Sequence, residues 1–519
     1  MLLHKFTAAM VVLSGLVMAA FIYLFLARNA SGLSFLPLMS ALGLVYVGLF
    51  TGSSIVLARF SWSASGVANW RRSSVAIRLA LFVVALLLIY IFLDSTVFDY
   101  YQPISLHDEV ILALAISWGS LSGSLVILAL LPAWPQGLAR AALVLAVVAL
   151  AGPALMAVQQ QLNAPPVSEQ VALHRDVFVG GEGGYDIYRI PALLVLPAGS
   201  RLASGEVIAQ DRLLAMAEAR RDGALDTGVI DIVMKVSVDG GDNWQPQQVI
   251  CSHDIGGRRG KCGNATPVFD RITGTVMLAY NLSGIPVDTG PNRPHSAHIV
   301  HSDDGGQSWG ESAMVAMAVD NLVFGPGHGI QKVVEPFAGR LVIPAYTPKH
   351  AVVLYSDDHG QSWQRSGGLD TGNETEVAEL ADGRLYMTTR HRAKIGRPPS
   401  PNGRLFSISD DGGQSWPPSK LDIRLSTPVC QASVERYGDR GGLLFSNPSD
   451  LQSRVNMTIQ YSRDDGEHWP VQVHVYGGPA GYSVLGVMSS GDVSLLYERG
   501  AMSYSEKISF ARVGAEHFD

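Results

Sequence analysis

The sequence predicts an all-β β-propeller preceded by an α-helical transmembrane domain, and two observations lead to this fold class. The motif S-x-D-x-G-x-x-W occurs five times, starting at Ser237, Ser302, Ser356, Ser409 and Ser462. Successive copies start 65, 54, 53 and 53 residues apart, a period that holds about four short strands with their turns and so suggests one propeller blade per copy. The first third of the chain is instead apolar, with only seven basic and four acidic residues before position 166.

Five apolar stretches predict transmembrane helices, since each approaches the length of about 20 residues that crosses the hydrocarbon core. They are approximately residues 7–27, 35–58, 74–93, 110–131 and 141–158. The loops at 59–78 and 140 are basic and the loop at 94–109 is acidic, so the positive-inside rule places everything after the fifth span outside the cytoplasm. No charged side chain lies in the middle of a span, which favours an anchor over a transporter.

These features predict three segments: a multi-span helical membrane domain at 1–160, a polar linker with a proline pair at 161–173, and a propeller domain at 174–519. We expect a multi-pass integral membrane protein in contact with the lipid bilayer, with its propeller in the periplasm or the exterior. Residues after 165 carry 31 basic and 41 acidic side chains, and this acidic balance argues against nucleic-acid binding.

The repeated motifs are predicted to be hairpin turns. Ser and Asp side chains can hydrogen-bond the backbone of their own turn, Gly supplies a positive φ, and Trp can pack the hairpin onto its neighbour. Metal binding is the alternative interpretation. The motif lacks the bidentate Glu at loop position twelve that an EF-hand uses, so we predict no metal site.

The three cysteines suit an oxidising compartment. Cys251 and Cys262 flank a ten-residue loop and could form a disulfide. A zinc site that includes His253 is the alternative, but it lacks a convincing fourth ligand. Cys430 is expected to be a buried small hydrophobe.

Several further segments accompany the motifs, at residues 188–193, 373–390, 443–454, 480–483 and 495–498. With the five motifs, they give the chain a resemblance to the sialidase (neuraminidase) family, the exo-α-sialidases with Asp-box (BNR) repeats, over about residues 174–515. The resemblance implies a six-bladed propeller in which one blade lacks a motif and the ends of the chain close the ring. It also implies glycoside hydrolysis that requires no cofactor.

A sialic acid carries a carboxylate on its anomeric carbon, and the planar fork of arginine binds a carboxylate bidentately. The resemblance assigns this binding to Arg189, Arg390 and Arg454, and a contact with the ring substituents to Arg220. Arg189 lies in an apolar run, where an unpaired charge is costly. The resemblance implies that Glu498 holds Arg189.

The resemblance assigns Tyr482 as the nucleophile, Glu374 as its base and Asp226 as the acid that protonates the leaving group. A carboxylate nucleophile would be repelled by the anomeric carboxylate, and sialidases use Tyr instead. A phenol needs a neighbouring base, and the arginine cluster is expected to help the phenolate form.

Other residues compete for two of these roles. Asp222 and Asp231 compete with the predicted acid, and Glu376 and Glu379 compete with the predicted base. His328, between glycines, is expected to shape a pocket wall rather than to act as a general base.

We therefore expect retaining hydrolysis of terminal α-linked sialic acid from sialylated glycans, glycoproteins or glycolipids through a tyrosyl-enzyme intermediate. A trans-sialidase, or a hydrolase of a related keto-sugar acid such as KDN or Kdo, would need the same arginines and stays open. A non-catalytic sialoglycan-binding membrane protein should lack the catalytic side chains, and candidates for all three are present. A membrane sensor or transporter is the remaining alternative, and the absence of charged side chains in the middle of the predicted spans argues against it.

Overall fold

The computed structural model of this chain describes residues 166–221, 223, 226, 228–255, 258–284, 295–315, 322–369, 373–391, 403–501 and 503–519. Within these ranges the chain forms 25 β-strands and two short 3₁₀-helices, and no α-helix. Backbone hydrogen bonds in this part of the chain are therefore made mainly between antiparallel strands.

The predicted fold class is wrong in its α-helical part for the residues that the structure describes, because they are all-β. No helix among them is long and apolar enough to cross a membrane. The predictions of a multi-pass integral membrane protein and of a lipid-bilayer partner depended on such helices and are corrected with the fold class. The predicted spans at 1–160 lie outside the described residues.

Hydrogen bonding joins the described strands into four sheets of seven, nine, five and four strands. Each of the two larger sheets divides into two antiparallel groups, which gives six groups of the size expected for a propeller blade. Strand β1 (Val171–Val179) comes first in the chain and belongs to the last group. The first group comprises β2 (Ile187–Leu196), β3 (Arg212–Arg220), β4 (Ile230–Ser237) and β5 (Gln248–Cys251). The second comprises β6 (Asp254–Ile255), β7 (Arg258–Asp270), β8 (Thr275–Gly284), β9 (His295–Ser302) and β10 (Ala313–Met314).

The remaining groups follow in chain order. The third comprises β11 (Val323–Phe324), β12 (Ile330–Gln331), β13 (Leu341–Tyr346), β14 (Ala351–Ser356) and β15 (Gln364–Arg365). The fourth comprises β16 (Thr375–Glu379), β17 (Leu385–Thr389), β18 (Arg404–Ser409) and β19 (Lys420–Asp422). The last two contain β20 (Ser433–Arg436), β21 (Leu443–Pro448), β22 (Val455–Ser462), β23 (Val471–Val487), β24 (Val493–Arg499) and β25 (Lys507–Val513), with 3₁₀-helices at Gly438–Arg440 and Ala515–Phe518.

The first and last groups are neighbours. The 17-residue strand β23 pairs with β22 of the fifth group in its first half and with β24 of the sixth in its second half. Strand β1 pairs with β25 and so completes the sixth group from the N-terminal side. Strand β2 of the first group packs against β23 and β24 of the sixth.

The core lies mainly between adjacent groups. One cluster joins Leu213 and Val233 of the first group to Leu496 and Phe510 of the sixth. Burying a side chain of this size contributes about 1.5–3 kcal/mol. Gly241, in the first repeated motif, lies against Phe510, and a Cβ on this residue would lie 2.2 Å from the Phe510 ring. Its φ of +94° also favours glycine.

All five motifs have the geometry of a turn held by its own side chains. In the second copy, the Ser302 hydroxyl donates to Asp304 at 2.9 Å and accepts from the Gly306 N–H at 2.8 Å, and Asp304 accepts from the Ser308 N–H at 2.9 Å. The same three contacts recur in the other four copies. The motif Asp carboxylates are therefore occupied in stabilising their own turns.

Cys251 and Cys262 form a disulfide, as the sequence suggested. The bond joins the end of β5 to β7 and thus the first group to the second. The two cysteines are 11 positions apart, and closing a loop of this length contributes about 2–3 kcal/mol to stability in the chain-entropy model. His253 lies within this loop and contacts Asp231 instead of a cysteine.

Candidate active site

Tyr482 lies at the centre of a buried cluster of charged side chains. Its hydroxyl donates a hydrogen bond to Oε1 of Glu374, which immediately precedes β16. Arg390, directly after β17, donates from Nη1 to Oε2 of Glu374 at 2.7 Å and to the Tyr482 hydroxyl at 3.2 Å. Tyr482 is 2% exposed. The phenol thus has a carboxylate to receive its proton and a cation beside its oxygen.

Glu498 organises the opposite side of Tyr482. One of its oxygens accepts from Nε of Arg189 at 2.7 Å and from the N–H of Ile190 at 2.9 Å, and the other accepts from the N–H of Tyr482 at 2.9 Å. Glu498 is 0% exposed. A Cβ on Gly481 would lie 2.2 Å from the Glu498 carboxylate, so only glycine permits this close approach.

Arg454 completes the set of predicted arginines. Its Cζ lies 5.4 Å from the centroid of the Tyr482 ring, and the Cζ of Arg189 lies 5.7 Å from the same centroid. Nη2 of Arg454 donates to the carbonyl of Val429 at 3.0 Å. The three arginines come from distant parts of the chain and surround one phenol. Three guanidinium groups suit an anionic ligand and repel a metal cation.

Asp226 and Arg220 lie together beside this cluster. Nη2 of Arg220 contacts Asp226 at 2.7 Å and Glu218 at 2.8 Å. Burial raises the pKa of the Asp226 carboxyl. The cations of Arg220, Lys261 and Arg189 lower this pKa by more than burial raises it, so the pKa lies well below its usual range. The Asp226 side chain remains 39% exposed. It is therefore ionised in this arrangement, whereas the predicted acid role needs a proton.

Neighbouring groups shift the pKa of Tyr482 in opposite directions. Arg390 and Arg454 lower this pKa, as expected of neighbouring cations. Burial, followed by the carboxylate of Glu374, raises the pKa of Tyr482 by more than the arginines lower it, so this pKa lies well above its ordinary value. The arginines alone do not produce a phenolate, so the phenol keeps its proton in a hydrogen bond to Glu374.

The competing glutamates have other partners. Glu379 contacts the ammonium of Lys332 at 2.7 Å. Glu376 is 0% exposed and lies 3.4 Å from Nδ1 of His328, whose Nε2 lies 2.6 Å from Glu435. Burial raises the pKa of Glu376 to about 8. Although burial lowers the pKa of His328, the two glutamates raise it to about 9, so this histidine belongs to a buried charged cluster rather than to a plain pocket wall.

Asp231, in β4, contacts three side chains, one of which is Arg221 directly after β3. Its carboxylate accepts from the Tyr185 hydroxyl at 2.6 Å, contacts Nδ1 of His253 at 2.7 Å, and accepts from Arg221 at 3.3 Å. Asp222, the other competitor for the acid role, lies outside the described residues.

Sequence reasoning missed two residues of this cluster. Tyr504, in the loop after β24, has its ring 5.0 Å from the Cζ of Arg189 and 4.9 Å from that of Arg454. Arg404, the first residue of β18, donates from Nη1 to the carbonyl of Cys430 at 2.9 Å. Neither residue belongs to a recognisable motif. Cys430 itself is buried against Tyr482, as expected for a small hydrophobe.

A cavity of about 290 Å³ lies elsewhere, between β1 and the first repeated motif. Its lining includes Tyr188, Lys235, Trp244 and Gln247, and none of the predicted site residues. The cluster around Tyr482 is the better candidate for catalysis, because it combines a nucleophile, a base and clustered cations.

Known proteins are similar to this chain in sequence over more than half of its length. The family model described as a BNR repeat-like domain matches residues 211–509, more than half of the chain. A sialidase of Micromonospora viridifaciens is 32% identical over 363 residues, which cover 65% of this chain and 53% of that protein. The chain therefore spans about half the length of that relative. Sialidase-3 of Mus musculus is 27% identical over 62% of this chain and 90% of its own length.

Solved structures are similar in fold. Hadza microbial sialidase Hz136 has a TM-score of 0.55 at 24% identity, covering 66% of this chain and 69% of that chain. The intramolecular trans-sialidase of Ruminococcus gnavus, solved with oseltamivir carboxylate, has a TM-score of 0.55 at 17% identity, covering 67% of this chain and 99% of that chain.

Proposed function

Because the chain belongs to the sialidase family with BNR repeats, a family of glycoside hydrolases, we propose that it is a retaining exo-α-sialidase acting through a tyrosyl-enzyme intermediate. Its proposed substrates are sialylated glycans, and residues 174–519 are the proposed catalytic domain. One observation carries the proposal. The Tyr482 hydroxyl donates to Glu374 while Arg390 binds both groups, and two further arginines lie within 5.7 Å of the Tyr482 ring.

Binding of the substrate carboxylate is proposed for Arg189, Arg390 and Arg454. The first two are already oriented by Glu498 and Glu374. Pre-oriented donors lose little conformational freedom when the ligand arrives, which favours tight and specific recognition. Arg390 also donates to the Tyr482 hydroxyl, where it can stabilise the negative charge that develops on the phenol oxygen as its proton leaves.

In the first step, the Tyr482 oxygen forms a bond to the anomeric carbon as the glycosidic C–O bond breaks. The phenol proton passes to Glu374, and the leaving oxygen takes a proton from Asp226. Since Asp226 is ionised beside Arg220, we propose that bound substrate engages Arg220 and so allows the carboxyl to become protonated.

In the second step, water attacks the anomeric carbon and the bond to Tyr482 breaks. Asp226 takes a proton from the water, and Glu374 returns its proton to the phenolate. Two displacements at one carbon retain its configuration. Tyr482 and Glu374 end the cycle as they began it, and Asp226 returns to solvent the proton that it took from solvent when substrate bound.

The test is hydrolysis of a 4-methylumbelliferyl α-sialoside by the purified full-length chain. Tyr482→Phe and Glu374→Gln should each lower kcat by about 10²–10⁴-fold, the range for loss of a catalytic group. Tyr386→Phe is the matched control, since Tyr386 is also buried but packs against Phe406, and it should keep its activity. Proton NMR of the first product should show the α-anomer.

Absence of hydrolysis by the folded wild-type chain would overturn the proposal. Release of the β-anomer first would instead show inversion of configuration. The proposed tyrosyl intermediate would then be wrong, whereas the proposed sialidase activity would stand. Addition of a galactoside acceptor distinguishes transfer from hydrolysis, because transfer yields a new sialoside.

A further inference from the structure

We propose that Tyr504 is a positioning residue of the carboxylate-binding site, whose aromatic ring holds Arg189 and Arg454 in the arrangement that receives the substrate carboxylate. The proposal rests on the function proposed above and deepens it. Tyr504 lies far along the chain from both arginines and in no recognisable motif.

The geometry points to a cation–π role for this ring. Its centroid lies 5.0 Å from the Cζ of Arg189 and 4.9 Å from the Cζ of Arg454. Both distances fall within the range of about 6 Å in which a guanidinium is attracted to the negative face of an aromatic ring. Each arginine is nearer to Tyr504 than to the Tyr482 ring. One neutral side chain thus contacts two cations that would otherwise repel each other.

Burial makes this contact consequential. Arg189 is 3% exposed, Arg454 is 1% exposed and Tyr504 is 7% exposed. The attraction between a ring and a cation grows as water is excluded. Glu498 compensates the charge of Arg189 directly, and Nη2 of Arg454 donates to the carbonyl of Val429. The Tyr504 ring therefore adds attraction for both cations, and the exclusion of water strengthens this attraction.

The loop that carries Tyr504 is built to fix the ring. The carboxylate of Glu506 accepts from the N–H groups of Ala501 at 3.0 Å and Ser503 at 2.9 Å. The backbone carbonyl of Glu506 accepts from the Gly180 N–H at 2.9 Å, which ties the loop to the end of β1. A side chain held on such a turn loses little entropy on contacting its neighbours.

One edge of the ring lies against the backbone beside the proposed nucleophile. A Cβ on Gly481 would lie 2.9 Å from Cδ2 of Tyr504. Gly481 precedes Tyr482, so displacement of the ring would free space at the point where Glu498 and the nucleophile meet. A residue that only filled the core would need apolar neighbours, whereas this one borders two guanidinium groups.

The experiment compares affinity for a carboxylate with affinity for its ester. The probe is the 2,3-unsaturated derivative of sialic acid, whose flattened ring resembles the transition state, together with its methyl ester. For the full-length wild type, Tyr504→Phe and Tyr504→Leu, the dissociation constant of the ester divided by that of the acid, both measured by isothermal titration calorimetry, reports recognition of the carboxylate. Tyr504→Leu should lower this ratio about tenfold and raise KM similarly with a smaller change in kcat, the size expected for a buried cation–π contact. Tyr504→Phe should stay within about twofold of the wild type, since it keeps the ring.

A second substitution separates the electronic effect from packing. Pentafluorophenylalanine at position 504 keeps the shape of phenylalanine but removes the negative ring face, and it should lower the ratio as leucine does. This variant decides the question if Tyr504→Leu fails to fold. An unchanged ratio in the fluorinated variant, or a loss in Tyr504→Phe equal to that in Tyr504→Leu, would overturn the proposal.

The outcome for the wild type separates this inference from the proposed function. If the wild type binds the acid selectively but hydrolyses no sialoside, the proposed catalysis fails while the role of Tyr504 is still decided by the ratios. If the wild type does not prefer the acid over the ester, the carboxylate site fails, and the role of Tyr504 fails with it.

Discussion

Replacing Glu498 with glutamine should damage both stability and substrate binding, because this carboxylate serves three donors at once. It accepts from the Arg189 side chain and from the N–H groups of Ile190 and Tyr482, at 2.7–2.9 Å. The single carboxamide oxygen of the new side chain can accept either from Arg189 and Ile190 or from Tyr482, but not from both groups of donors. The amide NH₂ would then face either the guanidinium of Arg189 or the N–H of Tyr482, placing donor against donor.

The magnitude follows from burial. Glu498 is 0% exposed and its side-chain partner Arg189 is 3% exposed, so the substitution leaves a buried guanidinium without its counter-ion. Breaking a buried ion pair in this way costs about 3–5 kcal/mol, and an orphaned N–H alone accounts for about 1–3 kcal/mol. These costs overlap, so we expect the free energy of unfolding to fall by about 3–5 kcal/mol in total. A loss of this size is a large part of the about 5–15 kcal/mol that stabilises a typical domain.

The assay is urea unfolding of the full-length chain, followed by tryptophan fluorescence, together with KM for a fluorogenic sialoside. Glu516→Gln is the matched control, because Glu516 is 71% exposed and its replacement should change stability by less than about 0.5 kcal/mol. We expect KM to rise for Glu498→Gln, since Arg189 loses its orientation. If Glu498→Gln unfolds at the wild-type urea concentration with an unchanged KM, the charge of Glu498 does not organise the site.

Two further predictions concern groups outside the arginine cluster. Asp231→Asn should loosen the segment that carries Asp226, since three side chains converge on the Asp231 carboxylate. The value of kcat/KM should then fall several-fold more for a sialyl galactoside than for an aryl sialoside, because the aryl leaving group needs less protonation. An equal loss of kcat/KM on both substrates would contradict the reasoning. The free energy of unfolding should fall as pH rises from about 6.5 to 8, by about 1.4 kcal/mol per pH unit for each proton that the folded state retains, because the pKa values of His328 and Glu376 are raised to about 9 and about 8. Both groups stabilise the fold at low pH and lose that contribution as pH rises. Glu376→Gln mimics the protonated form, so the free energy of unfolding of this variant, measured between pH 6 and 8.5, should fall less steeply with pH. An unchanged pH dependence would refute the raised pKa of Glu376.

The grouping of the site residues could be predicted from sequence because their motifs are local and specific. Tyr482 and Glu374 are 108 positions apart, yet each lies in a short segment whose pattern resembles the sialidase family. The structure brings them together, and it gives the competing Glu376 and Glu379 different partners. Three glutamates within six residues cannot be told apart by composition. Only the tertiary structure decides which one reaches the phenol.

Other features could not be predicted for physical reasons. Tyr504 lies in a turn, and the contacts of a turn side chain depend on the neighbouring strands rather than on local pattern. The low pKa of Asp226 depends on where Arg220 lies in space. The α-helical part of the predicted fold class was inferred from hydropathy alone, and the described residues, which are all-β, corrected it.

Three of the register shifts in the described strands lie at the site, and this suggests how a repetitive fold acquires a catalytic site. The register of β2 shifts after Arg189, where Ile190 has a φ of +55°, a conformation that costs a β-branched residue about 1–3 kcal/mol. The register of β23 shifts around Tyr482, and that of β7 around Asn264, whose N–H donates to Glu218 beside Arg220. A bulge redirects the side chains next to it, so each shift turns a residue away from regular alternation. The strain at Ile190 persists because the Glu498 carboxylate accepts its N–H, and the residue that holds the first arginine therefore also stabilises the distortion that aims it.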